Sequence, residues 1–144
     1  YETIGGGAGA AIGQEGTSAV QVHMTNTAIT DPEILELRFP VRLVGFRKRT
    51  GSGGKGSWNG GDGIERHYLF DEEIELSLLT QRRTSGPDGL CGGEAGLPGE
   101  QILIRTDGTE EILKSADSRT AYPGDRLILR TPGGGGAGEP ELLA

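Results

Sequence analysis

The sequence predicts a mostly β fold: a single domain built as a β-sandwich or partly open barrel, with long glycine-rich loops and at most one or two short helices. Three observations carry this. Only 33% of the 144 residues are hydrophobic and 5% aromatic, below the usual apolar share, so the core is small. The chain has 27 glycines, well over twice the average share of about 7%. From Val41 onward, apolar and polar residues alternate in short runs separated by Gly, Pro and Asp, the pattern of half-buried strands.

Residues 1–40 are expected to form an irregular N-terminal segment with one short strand and one short helix. Residues 1–18 are rich in Gly, Ala and Ser with no apolar stripe, so other protein mass is expected to order them. Ile4 to Gly13 offers a GxGxxG-like spacing. No Val/Ile strand precedes it and no helical periodicity follows, which argues against a dinucleotide-binding turn. Ala19 to Val22 fits a short strand. Asp31-Pro32-Glu33 is a helix start, with Asp at the cap, Pro at the first helical position and Glu in the first turn. Pro40 stops that helix, leaving Pro32 to Leu37 as at most two turns.

Residues 41–130 are expected to form the β domain, with strands at 41–49, 64–70, 73–80, 101–106, 109–114 and 125–130. Gly51 to Gly63 joins the first two, and seven of its thirteen residues are glycine. Glycine lets another backbone or a ligand come close but loses most entropy on folding. Strand-like flanks on both sides make this a structured loop, with Gly53, Gly54, Gly60, Gly61 and Gly63 setting its path. Its amides could also cradle an anion beside Lys55, although Gly54-Lys55-Gly56 is not a P-loop. Phe70 to Glu73 reads as a tight polar turn. Asp107-Gly108 between two alternating runs is a hairpin signal, and Tyr122-Pro123-Gly124-Asp125 is a turn. Thr84 to Gly99 is a long loop of the kind that is functional or mobile. Residues 131–144 form a Gly-rich C-terminal tail without core residues, expected to be exposed or docked on a missing partner.

A net charge of −7 and a pI near 4.8 argue against a nucleic-acid-binding face, which needs clustered Lys and Arg. Arg47-Lys48-Arg49 and Arg82-Arg83 are short runs that read first as solvated strand ends. One cysteine, Cys91, permits no intrachain disulfide and favours a reducing, cytoplasmic compartment. No neighbouring base or helix N-terminus marks that thiol as activated. Two histidines and one thiol do not supply a closed four-ligand zinc site, so no metal ligands are assigned. No apolar run approaches the ~20 residues of a membrane span, and no signal peptide is visible. The chain begins at Tyr1 and not Met, so it is expected to be cut from something longer.

The densest polar cluster is His23 with Thr25, Asn26 and Thr27. On an extended chain His23, Thr25 and Thr27 share one face and Asn26 the other. Imidazole and hydroxyls there could bind a polar substrate; a buried network satisfying backbone groups would look the same. His67, between Arg66 and Tyr68, reads as a surface or packing histidine. Asp62, Asp88, Asp107 and Asp125 fall in Gly- or Pro-rich turns and are expected to hold backbone rather than to act as bases.

Several motifs, in this order, resemble the C-terminal end of the hydantoinase B / 5-oxoprolinase family. They are Tyr1-Glu2-Thr3-Ile4-Gly5-Gly6-Gly7, His23 to Thr27 followed by Glu33 to Glu36, and Gly51 to Gly56 with Asn59 to Gly63. Gln81-Arg82-Arg83, Gly89 to Gly93, Pro123-Gly124-Asp125 and Thr131 to Gly136 complete the set. Any one glycine motif is weak; seven in register are specific. The resemblance implies a terminal β domain of a large cytoplasmic subunit, inactive alone, that works with a hydantoinase A-like, actin-like ATP-binding partner and the remainder of its own subunit in an oligomer. It implies ATP-dependent ring opening of a cyclic amide such as a hydantoin or 5-oxoproline, by phosphorylation of the amide oxygen followed by attack of water. It also leaves open a ketone carboxylase of the acetone or acetophenone type, and a non-catalytic docking module remains a third reading. His23, Thr25, Asn26, Arg82 and Arg83 are the residues it points toward substrate. No cofactor is expected on this chain itself; ATP and a divalent metal are expected elsewhere in the complex.

Overall fold

The computed structural model describes residues 1–22, 25 and 27–140. In chain order the elements are a helix α1 (Pro32–Arg38) and strands β1 (Val41–Arg49), β2 (Gly63–Phe70), β3 (Ile74–Leu79), β4 (Glu100–Ile104), β5 (Glu110–Ile112), β6 (Ala116–Ala121) and β7 (Arg126–Arg130). Five strands form one open antiparallel sheet in the order β1-β2-β7-β4-β5, and β3 pairs with β6 as a separate two-stranded ribbon. The fold is therefore a mostly β, open sandwich; no barrel closes.

Local chemistry accounts for the boundaries. The Asp31 carboxylate accepts from the Glu33 amide at 2.9 Å and Pro32 opens α1. Phe39, which precedes Pro40, is already extended at φ −132°, as the residue before a proline prefers. The β4–β5 hairpin turns through Asp107-Gly108: Gly108 has φ +87°, and the Asp107 carboxylate accepts from the Thr109 amide. Asp125 is buried and gathers the Tyr122 amide, the Thr106 amide and Arg105 Nη1. Arg105 also donates to the Thr120 carbonyl, pinning the ribbon to the sheet.

One face of the sheet and the inner face of the ribbon enclose the core, centred on Leu103, Leu127, Leu129, Tyr68, Phe70, Val41, Leu113 and Ala121. Leu103 and Ala121 have no exposure.

Two expectations need correcting. Ala19 to Val22 is not a strand: it makes a single bridge, Val20 to Gly6, and Ala19 has φ +53°. Conversely β6 is a strand that the apolar pattern does not announce. Its sequence Ala-Asp-Ser-Arg-Thr-Ala buries only Ala121, and pairing with the leucines of β3 defines it.

The larger correction concerns the two ends. Residues 133–137 are buried by this chain itself, and they form the axis of a second packed region. The Gly133 and Gly136 amides donate to the Leu97 and Glu94 carbonyls. The Gly134 and Ala137 amides donate to Gly61 and Trp58. The Pro132 and Gly135 carbonyls accept from Gly7 and Ala10. Each neighbour is thus met at every third residue, with no bonds inside the segment. That is the repeat of the polyproline II helix, and of collagen, where only glycine fits at the crowded axis.

Residues 5–10, 52–63 and 86–97 surround this axis, and residues 14–20 close over residues 59–62 through Gly16 to Asn59 and Ala19 to Asp62. A Cβ on Gly134 would lie 1.9 Å from the Ala8 carbonyl oxygen, and one on Gly133 would lie 1.9 Å from that of Ser52. Residues 5–20 and 132–138 are ordered against one another and the two glycine loops within this chain.

Candidate functional site

His23 and Asn26, two of the residues expected to face substrate, lie outside the described residues. Thr25 is half-buried. Arg82 and Arg83 diverge. Arg82 has φ +54° and its half-exposed guanidinium approaches Asp88 at 3.9 Å. Arg83 turns inward, donating from Nε to Gln101 Oε1 at 2.7 Å and from Nη1 to the Gln81 carbonyl at 2.6 Å. Burial, reinforced by the nearby Arg49 cation, pushes its pKa down to about 10. Gly99 makes the room, since a Cβ there would meet Arg83 Nη1 at 2.3 Å. Gln101 in turn donates to Thr80 and to the Lys114 carbonyl, so Arg83 braces β4 against the start of the long loop.

The 51–63 loop does not offer an anion cradle. The amides of Ser52, Gly53, Gly54, Gly56, Ser57, Trp58, Gly60, Gly61, Asp62 and Gly63 all donate within the chain. The five glycines singled out in this loop are sites of close approach. Cβ atoms on Gly53, Gly54, Gly60, Gly61 and Gly63 would meet carbonyl oxygens of Gly60, Glu94, Gly134, Thr17 and Thr131 at 2.0 to 2.4 Å.

Two charged arrangements escaped the sequence reading. On the outer face of the sheet, Arg47, Glu65, Arg130 and Glu100 are cross-strand neighbours and form a continuous ladder of ion pairs. His67 Nε2 lies 2.8 Å from Glu65 Oε1, with its ring over Gly45. Burial pushes the Glu65 carboxyl up, but hydrogen bonds from Arg130, His67 and Arg47 outweigh it and hold the pKa at about 2. A bulge between Leu43 and Gly45 sets the phase that brings Arg47 into line, and a bulge is marked in sequence only by that glycine.

On the core side, Arg66 has no exposure. Its Nη2 donates to Glu2 Oε1 at 2.9 Å, and Tyr68 donates to Glu2 Oε2 at 2.6 Å. The guanidinium lies 5.1 Å from the Phe46 ring centre and 5.4 Å from that of Tyr68; aromatic faces are favourable neighbours for a cation. Burial pushes the Tyr68 phenol up and the Glu2 carboxylate adds to it. Arg66 Nε and Nη1 have no hydrogen-bond partner among the described residues. Next to this cluster an open groove of about 300 Å³ runs between α1, the sheet and β3. Its walls are mostly apolar, and Tyr1, Glu2 and Glu75 stand along it.

Among the described residues, no group of three or more His, Cys, Asp or Glu is placed to hold a metal ion. No helix of the described residues is long and apolar enough to cross a membrane.

The family model for hydantoinase B/oxoprolinase matches residues 1–140. The chain belongs to that family. It is 48% identical over 138 residues to 5-oxoprolinase 1 of Arabidopsis thaliana, a match covering 96% of this chain and 11% of that protein. Among solved structures, it superposes on the ATP-dependent caprolactamase of Pseudomonas jessenii with a TM-score of 0.75 at 27% identity, over 94% of this chain and 24% of that one. Acetone carboxylase in its nucleotide-free form matches with a TM-score of 0.74 at 22% identity, over 92% and 22% of the two chains, which is a likeness of fold. The chain therefore spans between about a tenth and a quarter of the length of these proteins.

Proposed function

We propose that this hydantoinase B/oxoprolinase chain is the C-terminal β portion of a cytoplasmic, oligomeric enzyme that opens a cyclic amide at the expense of ATP, with 5-oxoproline the favoured substrate. The observation that carries this is the 48% identity to a 5-oxoprolinase across 96% of the chain. The caprolactamase adds support, since caprolactam, like 5-oxoproline, is a cyclic amide and that enzyme is ATP-dependent.

The seats for ATP and for a divalent cation are proposed to lie outside this chain. Most amides of the 51–63 loop donate within the chain, and the described residues present no metal-ligand cluster. Both are assigned to a hydantoinase A-like partner and to the remainder of the subunit. This chain contributes a rigid platform, and His23, Thr25, Asn26 and Arg82 are the polar groups proposed to meet substrate on it.

The test is ATP turnover by the full-length subunit with its partner, offered 5-oxoproline, hydantoin or acetone. Stimulation by 5-oxoproline about tenfold or more above the others is expected, within the range that specific contacts supply. Stimulation by acetone with bicarbonate in its place would move the chain to the ketone carboxylases. In the same complex, His23→Ala is expected to cut turnover about 10²-fold with little change in melting temperature, as for loss of a positioned acid–base group. Full activity per folded molecule would remove His23 from the site.

A further inference from the structure

The ribbon leaves one strand edge open over an unfilled part of the core. β3 pairs with β6 on one side only. On its other side, residues 74–79 make no backbone hydrogen bond to any described residue. The apolar groove is bordered by Ile74, Glu75, Leu76, Ser77 and Leu78 in succession. Side chains of a strand alternate between its faces, so a groove touching five consecutive residues is bordered by the edge of the strand and not by one face. The inward residues Ile74, Leu76 and Leu78 pack on the core yet stay only half-buried. Unpaired strand edges are templates for pairing with another chain, and an apolar groove beside one fits an extended segment with alternate apolar side chains.

We propose that this groove receives a strand from the preceding part of the longer polypeptide, added to β3 as the third strand of the ribbon. The inference rests on the reading that the chain is one portion of a longer hydantoinase B-type protein. Two observations select this occupant over a second copy or a foreign peptide. The Arabidopsis relative carries roughly nine-tenths of its length outside the matched region. Tyr1 and Glu2 line the same groove, so residues joined ahead of Tyr1 start at its rim. A segment of about six residues, rising ~3.3 Å each, would run the length of β3.

Hydrogen exchange read by mass spectrometry on the peptide covering residues 74–79 tests this in the 144-residue chain and in the longer polypeptide. Edge amides of β3 are expected to exchange about 10²-fold more slowly in the longer polypeptide, because a paired strand opens only with its neighbours. Leu76→Lys in the longer polypeptide should return most of that exchange, through loss of the apolar seat. Equal rates in the two proteins would overturn the proposal. So would protection in the short chain that rises with its concentration alongside a dimeric mass, since the occupant would then be a second copy. Protection of β3 in a longer polypeptide that opens no cyclic amide would sink the functional reading and leave this one standing.

Discussion

The sandwich and the glycine bundle solve the same packing problem with opposite materials. In the sandwich, large side chains fill the space between a sheet and a ribbon, and Leu103, Leu127 and Tyr68 hold it together. In the bundle there are almost no side chains to pack. Backbones lie against backbones, and the cohesion comes from interchain-like hydrogen bonds and close main-chain contact along the axis of residues 132–138. A side chain is therefore the asset of one region and the hazard of the other. The difference also sets mutational tolerance: truncation should hurt the sandwich, and enlargement should hurt the bundle.

The sharpest way to break this comparison is a single added methyl at the axis. Gly134→Ala puts Cβ 1.9 Å from the Ala8 carbonyl oxygen and 2.3 Å from its carbon. Main-chain atoms fixed in a bundle cannot move aside cheaply, so a loss of about 3 kcal/mol or more is expected, at or beyond the upper end of overpacking costs. Urea unfolding would measure it. Next comes the converse change in the sandwich. Leu103→Ala leaves a cavity at a position with no exposure and should cost about 3 kcal/mol, whereas Leu79→Ala, at 90% exposure, should stay within about 0.5 kcal/mol of zero.

Glu65 gives an effect of intermediate size, tied to pH. Its folded-state pKa of about 2 lies below the ordinary value of 4.5. The stabilisation it brings is complete above pH 4.5 and vanishes as pH falls through 2. Stability of the native protein should therefore drop by an extra amount of up to about 3 kcal/mol across that window, and Glu65→Gln should flatten the drop. An unchanged acid limb in the variant would show that the ladder adds nothing. The smallest effect belongs to Gly13→Ala. Nothing lies within 4 Å of a Cβ there, and only the φ of +86° is unfavourable, so about 1 kcal/mol is expected. A Gly13 variant as damaging as Gly134→Ala would mean that backbone conformation, and not close approach, selects the bundle's glycines.

The same contrast explains what could be read from the sequence. Strands with alternating Val, Ile and Leu were readable almost to the residue: 41–49 is β1, and 64–70 lies within β2. The helix was readable because Asp31, Pro32 and Pro40 each fix a backbone torsion or a cap locally. β6 was hidden because its face to the core is alanine. The bundle was hidden for a deeper reason. A three-residue repeat of backbone amides has no apolar period, and its partners lie in three separate stretches of chain, so each stretch alone looks like a loop. At the candidate site, the outward Arg82 and the inward Arg83 are adjacent in sequence. Gly99, about sixteen residues on, decides which way Arg83 turns, and no local pattern encodes that.

The central claim is that residues 132–138 are the core of the bundle and not an appendage. Deleting residues 132–144 and following urea unfolding by circular dichroism tests it most directly. The account predicts that the truncated chain loses its cooperative transition, or unfolds at a far lower urea concentration, because residues 5–10, 52–63 and 86–97 lose their common partner. A truncated chain that unfolds at the midpoint of the intact one would contradict it.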